Sequence, residues 1–196
     1  MIRELRKADI NKVSDIWLDT NIKAHYFIPA QYWKSNFELV KELLLQTTVY
    51  VYEDNQEIQG FIGLNAEYIE GIFISDKMQS QGIGKILLNY VKDKRNKLLL
   101  NVYQKNTRAI SFYQREGFEI QCSGLDKATG ERDYEMAWQQ NKSSSLSPKI
   151  VHKNIIFYSF KKNDKLYFSK SLCGRIPTNY EENFGQCLSY RSKLQI

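Results

Sequence analysis

The 196-residue chain is 42% hydrophobic and 13% aromatic, the composition of a folded domain rather than of a disordered segment. Nothing in it approaches the roughly 18 uninterrupted apolar residues of a membrane span, and its start, Met1-Ile2-Arg3-Glu4-Leu5-Arg6, has no apolar h-region, so a cytoplasmic protein with no membrane partner is expected. The formal charge of +6 is unevenly spread: residues 142–196 hold ten basic and three acidic side chains, +7, which leaves 18 basic and 19 acidic ones, −1, in residues 1–141.

In chain order, Ile2 to Arg6 reads as a first strand, and Asp9 as the N-cap of a helix with the apolar stripe Ile10, Val13, Ile16 and Trp17. Pro29 interrupts the chain, and a second helix follows with the stripe Trp33, Phe37, Val40 and Leu44. Thr47 to Glu53 and Glu57 to Leu64 are extended patterns joined by the turn Asp54-Asn55-Gln56, which predicts a hairpin. Glu67 to Ser75 is another strand. From Gly82 the period becomes helical, with Ile83, Leu87, Tyr90 and Val91 opposite Lys85, Asn89, Lys92 and Lys94. Lys97 to Tyr103 returns to strand, Thr107 to Glu116 to helix, and Phe118 to Cys122 and Tyr134 to Trp138 are two closing strands. The order β-α-α-β-β-β-α-β-α-β-β implies a mixed α/β sheet.

The serine-rich stretch Asn141 to Pro148 marks a boundary, giving a domain over residues 1–140, a linker over 141–148 and a basic extension over 149–196. In the extension, Ile155 to Phe160 and Leu166 to Phe168 flank Lys161-Lys162-Asn163-Asp164-Lys165, a pattern open to a hairpin; an accessory or partly disordered extension is the favoured reading. Its lysines and aromatics accompany no recognisable nucleic-acid-binding module, so nucleic acid is not the expected partner. Cys122, Cys173 and Cys187, with only His25 and His152, match neither a zinc site nor a disulfide framework; no metal is expected.

The most informative stretch is Gln79-Ser80-Gln81-Gly82-Ile83-Gly84-Lys85, between a strand and a helix. Glycines there admit a ligand close to the backbone, and the unpaired N–H groups of a helix start favour a pyrophosphate. A dinucleotide fingerprint would need glycine at Leu87, and a Walker A loop would need glycine at Gln79 and Ser or Thr at Ile86. A second signature follows in Asn106-Thr107-Arg108-Ala109-Ile110-Ser111-Phe112-Tyr113-Gln114-Arg115-Glu116-Gly117-Phe118, where Asn106 also suits an N-cap and Gly117 a C′ residue.

The pattern Gln-x-x-Gly-x-Gly after Ile69-Glu70-Gly71-Ile72-Phe73-Ile74 resembles motif A of the GNAT superfamily of N-acetyltransferases, and the second segment fills every specified position of its motif B, Asn-x-x-Ala-x-x-Phe-Tyr-x-x-x-Gly-Phe. The segment His25-x-Phe27-Ile28, Tyr32-Trp33 and the loop Gly124 to Tyr134 are similar to a bacterial branch credited with protein lysine acetylation, and the likeness covers about residues 1–138. It implies the GNAT fold: a mixed, mostly antiparallel sheet of six to seven strands flanked by about four helices, splayed between Glu67–Ser75 and Lys97–Tyr103 to admit acetyl-coenzyme A. By the same resemblance the cofactor would be held by Ile72, Phe73, Ile74, Gln79, Ser80, Gln81, Gly82, Ile83, Gly84 and Lys85, and by Asn106, Ala109, Phe112 and Tyr113.

The implied reaction is acetyl transfer to a primary amine, with protein lysine the leading acceptor, by direct attack in a ternary complex formed by a monomer or a homodimer. A small-molecule amine such as a polyamine or antibiotic, and a non-catalytic acyl-coenzyme A sensor, are the rival readings. Acetyl transfer needs a deprotonated amine, a stabilised oxyanion and a proton for the departing thiolate. The family places Tyr113 beside the sulfur as proton donor and a backbone N–H of Phe73 or Ile74 at the oxyanion. Many relatives carry a glutamate as base where this chain has Asn101, which cannot serve; Glu70, Glu67, His25 or a water relay remain.

Overall fold

The computed structural model describes residues 1–140, 156–162 and 165–171. In chain order they form β1 (Ile2–Glu4), α1 (Ile10–Ala24), α2 (Ala30–Ser35), α3 (Phe37–Leu44), β2 (Thr48–Asp54), β3 (Glu57–Asn65), β4 (Tyr68–Ile74), α4 (Ile83–Lys92), β5 (Lys97–Tyr103), α5 (Thr107–Arg115), β6 (Glu119–Leu125), β7 (Arg132–Gln139), β8 (Ile156–Lys162) and β9 (Lys165–Ser171). Seven strands make one sheet in the order β1-β2-β3-β4-β5-β7-β6, antiparallel throughout except where β4 meets β5. The alternation of strand and helix patterns predicts the mixed sheet, and its mostly antiparallel pairing is what the family resemblance implies. No described helix is long and apolar enough to cross a membrane.

Period-two alternation sorts the strands onto two faces. Val49, Val51, Phe61 and Phe73 meet Val13, Ile16 and Trp17 of α1, Trp33 of α2 and Val40 and Leu44 of α3 on one side. Tyr50, Ile62, Leu64, Leu98, Leu100 and Met136 meet Leu87, Leu88 and Val91 of α4 and Tyr113 of α5 on the other. Each fully buried aliphatic or aromatic side chain contributes about 1.5–3 kcal/mol, so both helical layers are held to the sheet mainly by apolar burial.

Two local expectations change. The stripe from Trp33 to Leu44 belongs to two short helices rather than one, because Asn36 stands between them, its side-chain amide donating to the Tyr32 carbonyl at 2.7 Å. Asp9 makes no side-chain cap to α1: its carboxylate accepts from Arg3 Nη1 at 2.6 Å and from the Arg6 N–H at 2.7 Å. The Arg3 guanidinium, which also reaches Glu53, holds the Asp9 carboxyl below the usual carboxylate range and ties β1 to the start of the first helical layer.

The feature that positions the site is the junction of β4 and β5. Only Tyr68↔Leu99 pairs there, and beyond it the strands diverge. On its other edge β4 pairs with β3 through a bulge: Gly63↔Gly71 is followed by Leu64↔Ile69, which leaves Glu70 as the extra residue.

The second unit, described by itself, is the two-stranded antiparallel ribbon of β8 and β9, in register from Ile156↔Ser171 to Lys162↔Lys165. The serine-rich boundary at 141–148, the Asn163-Asp164 turn and the remainder of the basic extension lie outside the described residues.

Candidate active site

Where β4 and β5 part, a cleft of about 840 Å³ opens between the end of α1, the two strands, the start of α4 and the face of α5. One wall is the free edge of β4. The Ser75 N–H donates to the Gln59 carbonyl of β3 at 2.8 Å, so strand alternation turns Phe73 toward β3 and the N–H and C=O groups of Ile72 and Ile74 toward the cleft. The Phe73 ring meanwhile stacks on Phe61 in the core, at 4.8 Å between centroids.

The second wall is the turn into α4. Ser80 (φ 63°) and Gly82 (φ 84°) both occupy the left-handed region, which costs a side-chain-bearing residue roughly 1–2 kcal/mol and glycine almost nothing. Gly82 is the N-cap and supplies no side-chain acceptor, so the N–H groups opening α4 are left for a ligand. The turn is held from outside: Gln79 Nε2 donates to the Ile74 carbonyl at 3.2 Å, and Gln81 Nε2 to the Lys77 carbonyl at 3.0 Å. Arg108, in the first turn of α5, donates to Gln79 Oε1 at 2.9 Å and to Ser80 Oγ at 3.2 Å. A guanidinium and a helix N-terminus therefore converge on one turn, the arrangement that binds a phosphate group.

Tyr113 lines the same cleft from α5, against Phe112 and Phe118, and the residue is 8% exposed. Burial pushes its phenol well above the ordinary tyrosine value, which keeps the proton on oxygen. Opposite it on β4 lie Glu70, at the bulge, and Tyr68, whose hydroxyl donates to Asn101 Oδ1 at 3.0 Å. Asn101 Nδ2 in turn donates to Asp133 Oδ2 of β7 at 2.9 Å, so a polar chain runs from β4 to β7 beside the point where the strands part.

His25, just past α1, is buried at 7% exposure, stacked on Trp33 at 5.3 Å and edge-on to Tyr103 at 5.2 Å. Its Nδ1 lies 3.0 Å from Asn21 Oδ1 and its Nε2 3.1 Å from Asn106 Nδ2. Burial lowers its pKa to about 4, so the imidazole is neutral at physiological pH.

A family model for the acetyltransferase (GNAT) domain matches residues 46–120. The peptidyl-lysine N-acetyltransferase YiaC of Escherichia coli is 35% identical over 130 residues, which are 65% of this chain and 89% of that protein. The chain belongs to the GNAT acetyltransferase family. The solution structure of apo YjaB from Escherichia coli shares the GNAT fold at a TM-score of 0.64 and 22% identity, over 71% of this chain and 97% of the other. The structure of yncA from Salmonella typhimurium with acetyl-CoA does so at 0.53 and 17%, over 75% and 97%. As a GNAT acetyltransferase the protein is an acyl-coenzyme A N-acetyltransferase with acetyl-coenzyme A as co-substrate.

The residues present fit that co-substrate: an uncapped helix start beside Arg108 for the pyrophosphate, and an unpaired strand edge for an amide-bearing arm. Glu70, Ile72, Phe73, Ile74, Gln79, Ser80, Gly82, Ile83, Gly84, Lys85, Asn106, Ala109, Phe112, Tyr113 and His25 all line this GNAT cleft. Gln81 does not line it, and Glu67 is exposed outside it. Lys85 leans toward Glu116, at 3.8 Å. Sequence reasoning passes over Arg108, Asn21, Tyr68 and Asp133. Arg108 stands at an unspecified position inside the second motif, where its charge four residues before the aromatic Phe112 gave the available signal; the other three are brought in by sheet register and helix packing alone.

Proposed function

We propose that the protein acetylates a primary amine, namely the side chain of a protein lysine, by direct attack of the amine with both substrates bound in the cleft. The observation that carries this reading is the convergence, on one splayed strand junction, of a phosphate-type helix start and a buried protonated tyrosine. The preference for protein lysine is supported by the likeness to YiaC, a peptidyl-lysine N-acetyltransferase. We take the compartment to be the cytoplasm, where donor and protein acceptors meet.

When bound, acetyl-coenzyme A supplies the activated thioester. The first N–H groups of α4 and Arg108 bind its pyrophosphate, and the open edge of β4 at Ile72 and Ile74 orients its arm. The Ile74 N–H is the backbone donor for charge developing on the carbonyl oxygen, because alternation turns Phe73 away. Tyr113 holds the proton that the sulfur takes up on leaving. Glu70, the bulge carboxylate lining the cleft, takes a proton from the acceptor ammonium, directly or through water, and so frees the amine to attack; Asn101 carries no base, and His25 has both nitrogens engaged.

The test is coenzyme A thiol release across a panel of lysine peptides, N-terminal amines, polyamines and aminoglycosides. Lysine peptides are expected to give the highest kcat/KM. Faster turnover of a polyamine would transfer the reading to a small-molecule acetyltransferase, and binding of acetyl-coenzyme A with no accelerated release by any amine would end the catalytic one.

A further inference from the structure

His25 invites a role as base, yet its hydrogen bonds describe something else. Asn21 Nδ2 donates to the Trp17 carbonyl at 3.0 Å, so its amide oxygen is the atom that faces His25 Nδ1, and the imidazole carries its proton there. Independently, Asn106 Oδ1 caps α5 by accepting the Ala109 N–H at 3.1 Å, so its NH2 faces His25, and Nε2 must be the acceptor. Two backbone groups thus fix both amides, and the amides fix the tautomer. The lone pair a base would need is already committed to Asn106.

The chain links α1 to the first turn of α5. Two residues beyond Asn106 stands Arg108, which holds Gln79 and Ser80 of the phosphate turn, and one further is Ala109; Phe112, on the same helix, lies 3.5 Å from where a Cβ on Gly84 would be. A shift of the Asn106 cap therefore propagates to the turn that precedes α4.

We propose that Asn21, His25 and Asn106 form a buried brace that sets the start of α5, making His25 a positioning residue for the coenzyme half of the cleft rather than the base. This rests on reading the cleft as the acetyl-coenzyme A site. The titratable groups around the ring do not substitute for it: Tyr103 donates to Asp126 at 2.7 Å, and Lys105, over the Phe27 ring, pairs with Glu131 at 2.8 Å. Lys23 pairs with Asp76, and Tyr26 is 80% exposed. Tyr32, packed on Trp33, has its phenol raised by burial and stays protonated.

The experiment compares wild type with His25→Ala, His25→Gln and Asn106→Asp. Nitrogen NMR of the wild-type imidazole should show the Nδ1–H form with a hydrogen-bonded, unprotonated Nε2 across neutral pH. Asn106→Asp keeps an acceptor for the Ala109 N–H but removes the donor to His25, so the histidine pKa should rise by more than one unit while α5 remains folded. His25→Ala should raise the dissociation constant for coenzyme A, measured by calorimetry, about tenfold, with an unchanged shape of the kcat/KM pH profile. His25→Gln, whose amide can both donate and accept, should recover most of that loss.

The brace is overturned if His25→Ala erases a pH limb and lowers kcat with coenzyme A affinity unmoved, which is the signature of a base. It is equally overturned if the imidazole proves to be the Nε2–H tautomer, or if Ala109 amide exchange is the same in all four proteins. Failure of wild type to bind coenzyme A would instead remove the reading of the cleft, leaving the tautomer and amide-exchange arms to judge the brace. Should His25→Ala not fold, Asn106→Asp carries the same test.

Discussion

On the proposed function the cleft has a coenzyme half and an acceptor half, and the two are built by different means. In the first, the working groups are backbone N–H groups at the start of α4 and along the free edge of β4, and the side chains around them act as holders: Gln79 on the Ile74 carbonyl, Arg108 on Gln79 and Ser80. In the second, the working groups are side chains gathered from separate elements, with Tyr68 and Glu70 from β4, Asn101 from β5, Asp133 from β7 and Tyr113 from α5. Backbone recognition tolerates almost any side chain that preserves the turn. Side-chain chemistry fails when a single functional group is removed.

That contrast predicts the largest effect at Tyr113. Tyr113→Phe removes one hydroxyl from a buried ring and should lower kcat about 1,000-fold while changing the KM for acetyl-coenzyme A less than about threefold. Because burial raises the phenol pKa above its usual value, wild-type kcat should show no alkaline limb attributable to this group below about pH 10. An alkaline limb near neutrality that vanishes in Tyr113→Phe would contradict the assignment. Glu70→Gln comes next: kcat/KM for a lysine peptide should drop about 100-fold at neutral pH and partly recover as pH rises toward the amine pKa, since the acceptor then arrives deprotonated. A loss that is equal at all pH values would show that Glu70 positions the acceptor and takes no proton.

The same division explains what could be read before any coordinates. A backbone site leaves a local imprint, because glycine at 82, where φ is 84°, and the capping Asn106 are demanded by nearby chain geometry. The alternating and helical periods likewise yield the order of strands and helices along the chain and the apolar stripes of the helices, since burial follows sequence spacing directly. Long-range placement leaves no such imprint. The contact of Asn101 with Asp133 depends on β5 lying beside β7, and Glu70 reaches the cleft from a bulge set by the pairing of β3 with β4. The break at Asn36 and the diversion of Asp9 to Arg3 and Arg6 are tertiary choices that a stripe of apolar residues cannot disclose.

Smaller effects belong to the backbone half. Gly82→Ala forces a Cβ into a left-handed residue, at about 1 kcal/mol, although among the described residues nothing beyond its chain neighbours lies within 4 Å of the added atom. The expected outcome is a modest fall in Tm together with a rise of about tenfold in the KM for acetyl-coenzyme A, and a kcat within about threefold of wild type. A kcat loss at constant KM would mean that the turn shapes the reacting end of the cleft, and the two halves would no longer be separable.

Arg108→Gln is the mildest and the most diagnostic, because Arg108 serves the phosphate turn in two ways that respond differently to salt. Its hydrogen bonds to Gln79 and Ser80 are short-range, and glutamine can replace one of them; in the proposed site its charge would act on the pyrophosphate through exposed space. If the charge dominates, KM should rise about three- to fivefold at low ionic strength, and the gap from wild type should close as salt is added and the Debye length falls toward about 3 Å at 1 M. If holding the turn dominates, the gap should persist at all salt concentrations and be accompanied by faster amide exchange at Ser80 and Gly82. The guanidinium is exposed where it meets the turn, so the charge should dominate, and a salt-insensitive deficit would reassign Arg108 from ligand binding to support of the loop.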